Sequence, residues 1–176
     1  AVKRASHLLH VGIATQRSLF HARPILDKLE LSGPSIISGG AQVIDSKSFK
    51  VLHEESINKK DFLKVVKIIE KFKRTNNFRV FIQDNKDEND FEWTGGEALP
   101  EKILTAVAFN FDTEIADLLQ KEISAIDNLS VHKLKSSTEG KVGISINSAL
   151  ATKQHGIFEV AKTLKFGTKE IIGIGD

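Results

Sequence analysis

A chain of 176 residues that is 40% hydrophobic before its 12 glycines are counted has apolar side chains enough for a packed core. This excludes disorder as the default and allows one domain, with or without a large insertion. The 25 Lys and Arg against 23 Asp and Glu leave a net charge of +2, too balanced to direct the chain to nucleic acid or to an anionic membrane.

Cysteine is absent, which excludes disulfides and thiolate chemistry, and no apolar run approaches the roughly 18 residues of a bilayer span. The expectation is a soluble, cytoplasmic protein with neither nucleic acid nor membrane as a partner. Methionine and tyrosine are also absent and the first residue is Ala1, which raises the expectation of a chain excised from something longer.

In chain order, Val2, Ala5 and Leu8 or Leu9 predict a helical face over residues 1–10, and the apolar run Val11 to Thr15 a short buried strand. After Gln16-Arg17-Ser18, a helix is predicted from about Leu19 to Leu29, bent or delayed by Pro24. Ser32-Gly33-Pro34 is a turn signal, and Ile36 to Ala41 is another apolar segment that ends in glycines. Such βα units predict an α/β protein with a doubly wound parallel sheet.

The pattern then changes. Gln42 to Asp45 and Phe49 to His53 read as a hairpin, and Asn58 as the cap of a helix from about Lys60 to Arg74 with Phe62, Val65, Val66, Ile69 and Phe72 on one stripe. Strands follow at Phe78 to Gln83, Phe91 to Thr94 and Lys102 to Phe111. Asp112 heads a helix with Ile115, Leu118, Leu119, Ile123 and Ile126 inward, and a hairpin of Val131 to Lys135 with Val142 to Ile146 closes the series. This predicts an inserted α+β domain, an open sheet covered by two helices, at residues 42–148, with residues 1–41 and 149–176 forming one interrupted core.

The C-terminal stretch opens on Ala151-Thr152-Lys153-Gln154-His155-Gly156, continues on a helical period and ends in Ile171-Ile172-Gly173-Ile174-Gly175-Asp176, read as a helix feeding a buried strand. An acid just past a strand's carboxyl end, with a lysine at the head of the preceding helix, suits a phosphate and its metal.

Val11 to Ser18, the Ile36 to Asp45 run with its Gly-Ala, Ala151-Thr152-Lys153 and the closing Ile-Gly-Ile-Gly-Asp together resemble the successive signatures of the haloacid-dehalogenase-like phosphatases, and within them the Cof-type sugar-phosphatase branch with an α/β cap. The resemblance spans the whole chain and implies a Rossmann-like core, here incomplete, with residues 42–148 as the cap. It implies magnesium-dependent hydrolysis of a small phosphorylated metabolite through an aspartyl-phosphate. Thr15 corresponds to the hydroxyl that binds the transferring phosphoryl group, with Gln16 beside it. Lys153 corresponds to the charge-balancing lysine and Asp176 to a magnesium ligand. The family's Asp-x-Asp nucleophile motif has no counterpart in this sequence and is expected before Ala1, and Gln16 stands where the family normally has glycine.

Other readings stay open beside this one. A module that binds a phosphate-bearing ligand without turnover fits a chain that lacks the nucleophile. Gly173-Ile174-Gly175 is also the opening of a dinucleotide fingerprint. The acidic run Asp84 to Asp90 reads as a solvated hairpin loop rather than a calcium loop, because Lys86 and Asn89 occupy positions that need an oxygen ligand and a glycine. The lysines and Arg74 of the helix after Asn58 read as a solvent face, and the six histidines show no metal-ligand spacing.

Overall fold

In the computed structural model, which describes residues 2–84, 90–136 and 138–174, the chain divides into two units. One runs to Glu54 and resumes at Ala151; the other is Glu55–Leu150.

In the first unit the run at residues 11–15, expected as a strand, makes only an isolated parallel bridge, Ala14–Ile36, to β1 (Pro34–Ile37). Ile36 N–H donates to Ile13 O at 2.7 Å and Thr15 N–H to Ile36 O at 2.9 Å. Between them, α2 (Leu19–Leu29) buries Leu19, Ala22 and Leu26 at helical spacing, against Leu31, Ile37 and Ile44. Pro24 sits inside this helix without ending it. α1 is only Val2–Ala5, and the expected stripe is not buried: Leu8 and Leu9 are 86% and 65% exposed.

β1 leaves through a 3-10 turn at Ser38–Gly40 into β2 (Gln42–Asp45), which pairs antiparallel with β1 and with β3 (Val51–Glu54). Residues 42–54 thus group with the first unit rather than with Glu55–Leu150. The backbone ladder of β1 with β2 ties this hairpin to the first unit. Asp45 closes the hairpin: its Oδ1 accepts from Ser48 N and Oγ, both at 2.7 Å. The Ser48 backbone hydrogen bond, then its hydroxyl, hold the Asp45 carboxyl below the ordinary value.

α5 (Lys153–Leu164) lies against β1 and β2, with Ala151, Gly156 and Ala161 buried. Beyond it, the strand expected from Ile171 does not form over residues 171–174, where Ile172 and Ile174 are 85% and 98% exposed. No strand among the described residues pairs with this stretch, and an apolar run without a ladder partner has no reason to extend as a strand.

The second unit is an antiparallel five-stranded sheet in the order β5-β4-β6-β8-β7. Its strands are β4 (Arg79–Gln83), β5 (Phe91–Glu92), β6 (Thr105–Phe111), β7 (Leu129–Lys135) and β8 (Val142–Ser148). Two helices, α3 (Lys59–Lys73) and α4 (Thr113–Ser124), bury their stripes in one core with its apolar face. The period of two puts Ile82, Ala106, Ile146 and Val131 in one cross-strand row on that face, and Gln83, Thr105, Asn147 and Ser130 in a polar row on the other.

Asn58 caps α3 as expected, its side chain accepting from Lys60 N. Asp112 heads α4 without a side-chain cap bond and pairs instead with Lys141 at 2.8 Å. Leu118 is 54% exposed rather than inward, because Leu119 takes the buried position. On α3, Lys64 and Lys71 pair with Asp61 and Glu122, as a solvated charged face would. Of the acidic run Asp84 to Asp90, residues 85–89 lie outside the described residues, as does Asp176.

Candidate functional site

Thr15 directly follows the isolated parallel bridge Ala14–Ile36 and precedes α2. Its Oγ1 accepts from Arg17 N at 3.2 Å, which orients the hydroxyl and leaves its proton for donation. Arg17 O in turn accepts from Ser38 N at 2.7 Å, and Thr15 O from Gly39 N at 3.1 Å. These bonds clamp the loop after Thr15 onto the Ser38–Gly40 turn.

Both glycines of the turn lie at positive φ, and they meet different neighbours. Gly39 has φ +70°, and a Cβ there would lie 2.5 Å from Gln16 Nε2. Gly40 has φ +114°, and a Cβ would lie 2.3 Å from the Thr152 carbonyl carbon. The turn is thus sandwiched between the Gln16 side chain and the backbone that starts α5.

Thr152 is the N-cap of α5, its hydroxyl accepting from His155 N at 3.0 Å, and Lys153 is the first helical residue. Gly156 keeps α5 close: a Cβ there would lie 2.8 Å from Ile36 Cγ2. The sequence-predicted Thr15, Gln16 and Lys153 therefore gather about one turn; Thr15 and Gln16 are half-buried and Lys153 is exposed. Asp176, the fourth predicted residue, lies outside the described residues.

One residue was not foreseen. Ser18, the N-cap position of α2, is 7% exposed, makes no side-chain cap bond, and its Oγ has no hydrogen-bond partner among the described residues. A buried hydroxyl without a partner is costly, and an oxygen-rich ligand at the helix N-terminus is one way to satisfy it. Without such a ligand, Ser18→Ala is expected to leave stability unchanged or to raise it by up to about 1 kcal/mol in urea titration, since it removes an unsatisfied group.

The arrangement is cationic and donor-rich: an ammonium, an amide, a hydroxyl with a free proton, and the N-termini of α2 and α5. It suits an oxyanion. Magnesium requires hard oxygen ligands, carboxylates first. Thr15, Gln16, Ser18 and Lys153 offer no carboxylate, so these residues fit the anion better than the metal.

A family model described as haloacid dehalogenase-like hydrolase matches residues 2–176. The chain belongs to the haloacid dehalogenase-like hydrolases. Among solved structures, one of this family from B. subtilis has a TM-score of 0.71 at 17% identity, over 95% of this chain and 72% of the other. Another from Bacteroides thetaiotaomicron has a TM-score of 0.72 at 16% identity, over 99% and 72%. A sugar phosphatase of the family's subclass IIB has a TM-score of 0.68 at 14% identity, over 94% and 67%. At these identities the likeness is one of fold. A comparison with curated protein sequences gives no match.

For a haloacid dehalogenase-like hydrolase, the two-unit α/β architecture is the expected one. The dinucleotide reading needs a strand before its glycines, and residues 171–174 form none. No described helix is long and apolar enough to cross a membrane.

Proposed function

We propose that the protein is a phosphatase acting on a small phosphate monoester, a sugar phosphate in chemical class, and that this chain supplies the phosphate-binding side of its active site. The observation that carries the reading is the gathering of Thr15, Gln16 and the Lys153 end of α5 on the Ser38–Gly40 turn. In it, Thr15 and Gln16 donate to phosphate oxygens and Lys153 neutralises their charge, on backbone too tightly packed to rearrange. Phosphoryl transfer is mainly positioning and electrostatic stabilisation, and these are groups of that kind. The family name and the fold shared with a subclass IIB sugar phosphatase support the same reading.

Magnesium belongs to this proposal with Asp176 as a ligand; bound, it would neutralise charge on the phosphoryl oxygens. The unit Glu55–Leu150, in place of the expected 42–148, is proposed as the cap that sets specificity. A second reading is phosphate binding without turnover, for which the donors gathered at the turn, Thr15, Gln16 and Lys153, are sufficient.

Release of inorganic phosphate from a panel of phosphate monoesters, with and without magnesium, separates the two. Magnesium-dependent release supports the phosphatase; phosphate binding with no release from any ester supports the binding module. Release that persists at full rate in excess chelator contradicts the magnesium assignment.

A further inference from the structure

Away from the glycine turn, the first unit gathers a second set of side chains. His53 lies on β3, paired with Val43 of β2, and its Nδ1 is 3.5 Å from Glu159 Oε2 on α5. His155 is on the same helix four residues before Glu159, so the two share a face, and its ring centroid is 5.9 Å from that of His53. One ligand atom from each of the three lies within 4.8 Å of the others, and all three residues are half-buried.

We infer that His53, His155 and Glu159 form a binding site for a zinc ion. Two imidazole nitrogens and one carboxylate are a borderline-soft set that zinc accepts and that magnesium, which demands oxygen, does not. In a tetrahedral zinc site with bonds of about 2.0–2.1 Å, neighbouring ligand atoms stand about 3.4 Å apart. The His53–Glu159 separation of 3.5 Å is already that edge. His155 must close by rotation about its side-chain torsions, since its helix is fixed by the Thr152 cap and the Gly156 contact with Ile36. Lys162 Nζ, 3.4 Å from Glu159 Oε2, is the competing partner, exposed enough to turn into solvent.

Three protein ligands leave one position for water. The ion would tie the β2–β3 hairpin to α5 two residues from Lys153. The site is distinct from the phosphate-binding residues and does not depend on their assignment.

The test titrates metal-free chain with zinc against a chromogenic chelator in the presence of excess magnesium. One zinc per chain is expected, bound at least ten-fold more weakly by His53→Ala, His155→Ala and Glu159→Gln, and unchanged in His132→Ala. Circular dichroism establishes that each variant is folded. Because Glu159→Gln keeps the side chain's shape, its loss of affinity in a folded chain reports on ligation. Cobalt substituted into the unaltered chain is expected to show tetrahedral ligand-field absorption, which the three ligand variants lack. Equal affinity in the unaltered chain and all three variants would overturn the assignment and leave an ion pair only. So would a loss of affinity in His132→Ala, or cobalt absorption typical of six-coordination.

Discussion

Gly40→Ala is expected to lower stability by about 3–5 kcal/mol, read as a fall in the midpoint of urea unfolding. Two costs combine. At φ +114° an L side chain is strained whatever the space around it, and the new methyl would stand 2.3 Å from the carbonyl carbon and 2.4 Å from the oxygen of Thr152. Those are backbone atoms at the start of α5, so relief requires moving the helix that carries Lys153. Gly39→Ala makes the internal comparison. Its φ of +70° is the left-handed region, and its new methyl meets the far end of the flexible Gln16 side chain. About 1–2 kcal/mol is expected there, with Gln16 displaced. Equal losses in the two variants would mean that the turn is not wedged against α5.

Lys153→Ala is expected to weaken binding of inorganic phosphate by about 10–100-fold, the worth of a hydrogen bond to a charged group, while shifting stability by less than about 0.5 kcal/mol. Lys153 is exposed at the first position of α5, so folding makes no demand on its charge. Lys153→Gln, which keeps length and a donor but removes the charge, is expected to lose nearly as much affinity. The loss should shrink as ionic strength rises, because screening weakens the attraction in the unaltered chain. Isothermal titration at two salt concentrations measures both effects. Affinity retained in both variants would remove Lys153 from the site.

The elements that the sequence makes legible are those whose pattern is local. Leu19, Ala22 and Leu26 write α2 into the chain with its observed limits, and Asn58 with Phe62, Val65 and Ile69 writes α3 to within one residue at each end. The strand and helix order of the second unit follows from the same periodicities. Leu118 was misplaced because Leu118 and Leu119 both satisfy a helical stripe, and only packing chooses between them.

What escaped is non-local. Gly39-Gly40 reads as the end of a βα unit, and nothing between residues 34 and 54 announces that β2 turns back along β1. A run such as Ile171 to Ile174 looks like a buried strand from its own residues, but strand formation depends on a partner backbone. Thr15, Gln16 and Lys153 were reached from motif order, whereas the Ser18 hydroxyl gives no signal until the structure removes its partners. Likewise, no sequence spacing relates His53 to His155, because β3 and α5 come from opposite ends of the interrupted unit.

In the proposed site one phosphate is held at the Gly39–Gly40 turn by the loop after Thr15 and the start of α5. The direct measurement is a titration of isotope-labelled chain with inorganic phosphate, followed by the shifts of its backbone amides. Saturable shifts are expected at residues 15–18, at Gly39 and Gly40, and at Lys153 and Gln154, all with one dissociation constant. Saturable shifts confined to the lysine face of α3, or no saturable shift at the turn, would contradict the account.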